Sequence, residues 1–125
     1  MSKMIKVVVK RTGENHDFCE LENNLEMMQE IVGGYLEAVR LPNDIVLWCN
    51  EEGLIWGLPQ NIVLMGGNKV TPIHGNVLFT SVDIKGKTIG LDDKQIVWLN
   101  NNIKIIGKAV HDNKEYFVFG LECGE

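Results

Sequence analysis

The longest apolar stretch of the chain is Ile45-Val-Leu-Trp-Cys49, hydrophobic at every position and not at alternate ones. A strand that is apolar on both faces is covered on both faces, so the pattern predicts a strand inside a sheet. Glu51-Glu52-Gly53 follows and predicts a chain reversal, with Gly53 supplying a positive φ, so that Leu41–Asn61 reads as a central hairpin. Upstream, the β-branched run Ile5–Lys10 and the segment His16–Glu22 predict an opening hairpin about Gly13–Asn15. Leu25, Met28, Ile31 and Val32 fall at helical spacing, with Asn23 as the predicted N-cap, Glu26 at N3 and Gly33 in the left-handed position that ends the helix. Tyr35–Leu41 predicts a third strand leading into the central one.

After Pro59 a short segment reaches a turn at Gly66-Gly67-Asn68, and Gly75–Ile84 predicts another buried strand around Val77-Leu-Phe79. Asp92 is the clearest helix start: Gln95 completes a capping box, and Leu91 with Ile96 forms a hydrophobic staple. Two strands, Ile103–Val110 and Glu115–Leu121, then flank His111-Asp-Asn-Lys as a C-terminal hairpin. Strands and helices in this order do not alternate as βαβ units. The pattern predicts an α+β fold: a mostly antiparallel sheet, two helices and a C-terminal β-hairpin, in one domain spanning 1–125.

Composition narrows the partners more than the fold. The 125 residues carry 12 basic and 17 acidic side chains, a net charge of −5, with no Lys/Arg cluster, which argues against nucleic-acid binding. Three cysteines, Cys19, Cys49 and Cys123, cannot all pair within the chain, and the N-terminus Met-Ser-Lys-Met-Ile-Lys is no signal peptide, so a cytoplasmic protein is expected. No apolar run approaches membrane-spanning length. The Tyr116-Phe-Val-Phe119 strand is apolar on both faces and would be an aggregation hazard as a lone edge, so a homo-oligomer that buries it is expected.

The pattern Leu25-Glu-x-x-Gln29-x-x-Val32-Gly-Gly-Tyr35-Leu-Glu37, followed by Ile45-Val46, Asn50-Glu51-Glu52-Gly53, Gly57-Leu58-Pro59-x-Asn61 and Ile73-His74-Gly75, resembles a family of small bacterial, plasmid and phage proteins known as a domain of unknown function. The resemblance treats 1–102 as the family-like core and 103–125 as a hairpin extension. It departs at Ile62, where the family often carries a basic residue. It implies no activity, only a setting: an accessory protein of a mobile element, where counter-defence and regulation are common.

Candidate chemistry is sparse. His16-x-x-Cys19, with Cys49, His74 or Cys123, invites a metal, but residues three apart on a strand face opposite ways and no paired-ligand motif is present; no metal or cofactor is expected. Ser81 lacks a nucleophile elbow, and only a spatial meeting of Cys49 with His74 would supply a nucleophile–base pair. Gly66-Gly67-Asn68-Lys69 reads as a hairpin turn in preference to an anion nest, lacking Walker spacing. No catalytic residue is assigned. Glu51 and Glu52 read first as a solvated turn, but their neighbours Trp48, Asn50, Trp56 and Asn61 combine stacking faces with amide hydrogen bonds. Trp48, Asn50, Glu51, Trp56 and Asn61 are therefore the predicted ligand site, suited to a nucleotide-like molecule. The expectation is a non-catalytic protein that sequesters such a ligand or blocks a host protein; the alternatives are a regulatory interaction module without a ligand, or a small nucleotide hydrolase.

Overall fold

The computed structural model describes residues 3–124. In chain order the elements are β1 (Met4–Lys10), β2 (Asp17–Glu22), α1 (Leu25–Val32), β3 (Leu36–Arg40), β4 (Ile45–Asn50), β5 (Gln60–Gly66), β6 (Lys69–His74), β7 (Val77–Val82), β8 (Thr88–Ile89), α2 (Asp93–Asn102), β9 (Ile103–His111) and β10 (Lys114–Gly124). The fold is α+β, as the pattern predicts, but its strands form two sheets. The first has the order β2-β1-β7-β4-β3 and is antiparallel throughout, with β8 pairing the remainder of β7. The second has the order β6-β5-β10-β9, antiparallel except where β5 and β10 run parallel.

The side-chain alternation of the first sheet explains why its strands read as continuous hydrophobic runs. Ile45, Leu47 and Cys49 of β4, with Val77 and Phe79 of β7 and Val8 of β1, enter a core shared with Ile62, Leu64, Phe119 and Leu121 of the second sheet and with Leu91 and Leu99 beside and within α2. The opposite face carries Ile5, Val7, Val9 and Leu78, packed on Met28 and Val32 of α1. The first sheet is thus buried on both sides, by a helix on one and by the second sheet and α2 on the other.

Both helix starts follow from side-chain capping. Asp92 accepts from Gln95 N at 2.8 Å and Gln95 Oε1 accepts from Asp92 N at 2.9 Å, the full capping box. In α1 the cap is Asn24, one residue later than predicted, with its Oδ1 accepting from Met27 N at 2.9 Å. Asn23 instead donates to Thr88 O. Gly33 ends α1 at φ 79°, left-handed as expected.

Three expectations about connectivity are corrected. Leu41–Asn61 is not a hairpin: β4 belongs to the first sheet and β5 to the second, and residues 51–59 carry the chain between them. Gly53 is not the positive-φ residue there; Gly57 is, at 69°. The strand β6 was not predicted, because Pro72 and its exposed positions disguise it; it is an edge strand, where proline is tolerated. Finally, the C-terminal hairpin forms, turning through left-handed Asp112 and Asn113, but it is no appendage. Phe119–Gly124 of β10 lie between β9 and β5, whereas Tyr116–Val118 pair with β9 alone, so only the Phe119 end of the apolar run is enclosed on both edges.

Candidate functional site

The segment joining the two sheets is short, and its backbone is closed on itself. Gly53 N donates to Asn50 O (3.1 Å), Trp56 N to Glu52 O (2.9 Å), Gly57 N to Leu54 O (3.1 Å) and Leu58 N to Gly53 O (3.0 Å). Gly53 is required by contact and not by φ: a Cβ there would lie 2.6 Å from the backbone oxygen of His74. The loop is thereby pressed against the end of β6. His74 Nδ1 donates to Leu58 O at 2.9 Å and holds the far end of the loop down.

Asn50 anchors the near end. It is buried, its Oδ1 accepts from Glu52 N at 2.8 Å, and its Nδ2 donates to Val32 O, the last turn of α1, at 3.3 Å. Gly34 passes so close that a Cβ would sit 2.8 Å from Asn50 Nδ2. Asn50 consequently separates two clefts. One, of about 190 Å3, is bordered by Gln29, Gly34, Tyr35, Asn50, Glu52 and Trp56. The other, of about 290 Å3, lies between β3, β4 and β6, and its walls include Glu37, Cys49, Asn50, Glu51, Leu54 and His74.

A family model described as "Domain of unknown function (DUF3846)" matches residues 5–110. The chain belongs to this family. No curated protein and no solved structure matches it. The DUF3846 match contains both clefts and the whole loop, and it runs into β9 while stopping short of β10, the strand that β9 and β5 enclose.

The predicted site residues of this DUF3846 protein fall into three groups. Asn50 and Trp56 line the smaller cleft together, and Glu51 lines the larger one beside Asn50. Trp48 borders neither: it packs on the α1 face of the first sheet and donates its Nε1 to Thr80 Oγ1 at 2.9 Å. Asn61 also borders neither. It is 0% exposed, donating to Lys10 O and Gly75 O (2.8 Å each) and accepting from Lys10 Nζ at 2.7 Å. A register shift between Gln60 and Ile62 leaves Asn61 without a cross-strand partner, and this bulge aims it inward alongside Ile62.

Lys10 had given no signal in the sequence. It is 0% exposed, its Nζ also donates to Arg11 O at 2.8 Å, and it lies 3.8 Å from the Phe119 ring centroid. Burial pushes its ammonium down from 10.5 to about 8, against a smaller upward pull from Glu14. Alternation puts Lys10 on the core face with Val8, but Lys6 shares that face and is exposed, so period alone could not mark it.

Cys49 and His74 both line the larger cleft, but their hydrogen bonds go elsewhere, to Glu37 O and Leu58 O. Burial, and then the charge of Glu37, push the Cys49 thiol up to about 11, and it donates to Glu37 O at 3.7 Å. At neutral pH it is a thiol and not a thiolate nucleophile. His16 is remote from this pair, with its Nε2 against Asn100 Oδ1 at 2.6 Å. Among the described residues no group of three or more His, Cys, Asp or Glu is placed to hold a metal ion, and no helix is long and apolar enough to cross a membrane.

Proposed function

We propose that this protein is a non-catalytic binding module whose contact surface is the 51–59 loop with Tyr35, and that its partner is another protein. One observation carries the reading: Leu54, Ile55, Trp56 and Tyr35 are 73%, 81%, 63% and 68% exposed. Single exposed apolar residues are ordinary, but three in succession on a hydrogen-bonded loop, next to an exposed tyrosine, form a patch. Trp and Tyr are the residues on which interface energy concentrates, and a loop braced before contact loses little entropy on binding. In the mobile-element setting implied by the family resemblance, such a module would act by occupying a surface of a host protein.

The smaller cleft favours a second reading, a nucleotide-like ligand, because Tyr35 and Trp56 offer stacking faces and Gln29 and Asn50 offer amides. Two features weigh against it. The cleft of about 190 Å3 is below the usual small-ligand range, and no Lys or Arg borders either cleft to meet a phosphate.

The test is affinity capture with the wild type and with Ile55→Ser and Trp56→Ala, joined to native mass spectrometry. A protein held by the wild type and released by both variants, at unchanged thermal midpoint, is the expected result. A partner retained equally by the variants overturns the reading, and a co-purifying ultraviolet-absorbing small molecule replaces it with the second.

A further inference from the structure

Resting on that reading, we infer that the partner inserts an arginine side chain into the cleft bordered by Gln29, Tyr35, Asn50, Glu52 and Trp56. The volume of about 190 Å3 suits one side-chain head group better than a whole small-molecule ligand. Its chemistry is that of a cation receptor. Tyr35 and Trp56 bring aromatic rings, whose faces attract a cation. Glu52 brings a carboxylate that makes no hydrogen bond or ion pair among the described residues. Asn50 Oδ1 is fixed by Glu52 N, which leaves a second lone pair on an already oriented acceptor.

The surroundings have the same sign. Glu51 and Glu37 line the adjoining cleft, they too have no ion-pair partner among the described residues, and no Lys or Arg borders either cleft. Potentials from one sign of charge add in a recess and favour a cationic guest. A flat guanidinium matches both requirements at once, lying against an aromatic face while its edge meets a carboxylate in a two-pronged hydrogen bond. An ammonium matches the charge but not the plane. The exposed Leu54-Ile55 pair beside the cleft then covers apolar surface of the partner around the inserted arginine.

The probe is Nα-acetyl-arginine amide, titrated into 15N-labelled protein, with the neutral isostere Nα-acetyl-citrulline amide as control. The three tryptophans give three indole resonances, and Trp56→Phe assigns the one from residue 56. Saturable movement of the Trp56 indole by the arginine probe is expected, with binding weaker by about tenfold for citrulline and for Glu52→Gln, the effect of one charge-assisted pair. Unchanged resonances elsewhere show that Glu52→Gln remains folded. Equal binding of the two probes, no effect of Glu52→Gln, or no saturable movement of the Trp56 resonance overturns the inference. If that occurs while loop variants still release a captured protein, only the arginine assignment falls; if loop variants retain the protein, the binding-loop reading falls first.

Discussion

The buried Lys10 makes stability depend on pH in a way that can be worked out beforehand. Its ammonium is held at about 8 in the folded chain against an ordinary 10.5, chiefly by burial. Between those pH values the unfolded chain binds a proton that the folded chain does not, so stability rises with pH across the window. Below pH 8 both states are charged and the folded state bears the whole cost of burying the ammonium, about 3 kcal/mol at roughly 1.4 kcal/mol per pH unit. Cys49 opposes this higher up: its folded thiol keeps until about 11 a proton that the unfolded chain loses near 9, so its contribution falls as pH rises from 9 to 11.

Comparing wild type with Lys10→Met cancels the cysteine contribution and isolates the lysine. Near pH 10.5 the wild-type amine is largely neutral and still bonded to Asn61, and the variant, which leaves Asn61 Oδ1 unpaired, should be less stable by about 1–3 kcal/mol. Near pH 7 the variant escapes the cost of burying a charge and should equal or exceed the wild type. Urea denaturation at half-unit pH steps measures the difference, and equal denaturant slopes would confirm that the same surface unfolds. A difference that stays constant from pH 7 to 10.5 would refute the buried-ammonium account.

Two further outcomes are expected. Asn61→Ala strips Lys10 of its side-chain acceptor and removes the amide donor to Lys10 O and Gly75 O, so it should cost about 3–5 kcal/mol in urea denaturation at pH 7; a loss below about 0.5 kcal/mol would refute its place in the buried network. Asp92→Ala should cost about 1 kcal/mol by losing the N-cap of α2, and an unchanged urea midpoint would remove that cap from the account.

What was legible in the sequence is what depends on neighbours along the chain. The α2 cap, the end of α1 at Gly33 and the turn at His111–Lys114 are local, and each is set by residues within a few positions. The α1 cap shifted by one because Asn23 and Asn24 are chemically alike, and only the distant Thr88 carbonyl distinguishes them. What was illegible depends on strand pairing. Apolar residues on both faces of β4 state that it is covered twice; they do not state that its neighbours are β7 and β3 while the next strand joins another sheet. The same limit hid the place of β10, whose parallel pairing with β5 encloses Phe119–Gly124 and leaves Tyr116–Val118 paired with β9 alone. In the site, Trp56 and Asn50 were found through residue type, whereas Gln29 arrives through the packing of α1 on β4 and Tyr35 through the hydrogen bond from Glu51 N to its carbonyl.

The residues that most resembled ligand contacts divide by burial into those that build the loop and those that present it. Asn50 ties its start to α1 and to Glu52, and Asn61, just beyond its end, ties β5 to β1 through Lys10 and to Gly75. Gly75 in turn sits at φ 87°, a conformation other residues rarely adopt, with Leu58 packed over it. An unbraced loop would gain by folding Leu54, Ile55 and Trp56 back onto the protein, because burying each such side chain is worth about 1.5–3 kcal/mol. The anchors at both ends and the internal hydrogen bonds oppose that collapse, so the apolar tip stays in water. A partner that covers the tip recovers the hydrophobic free energy which the brace denies to the isolated chain.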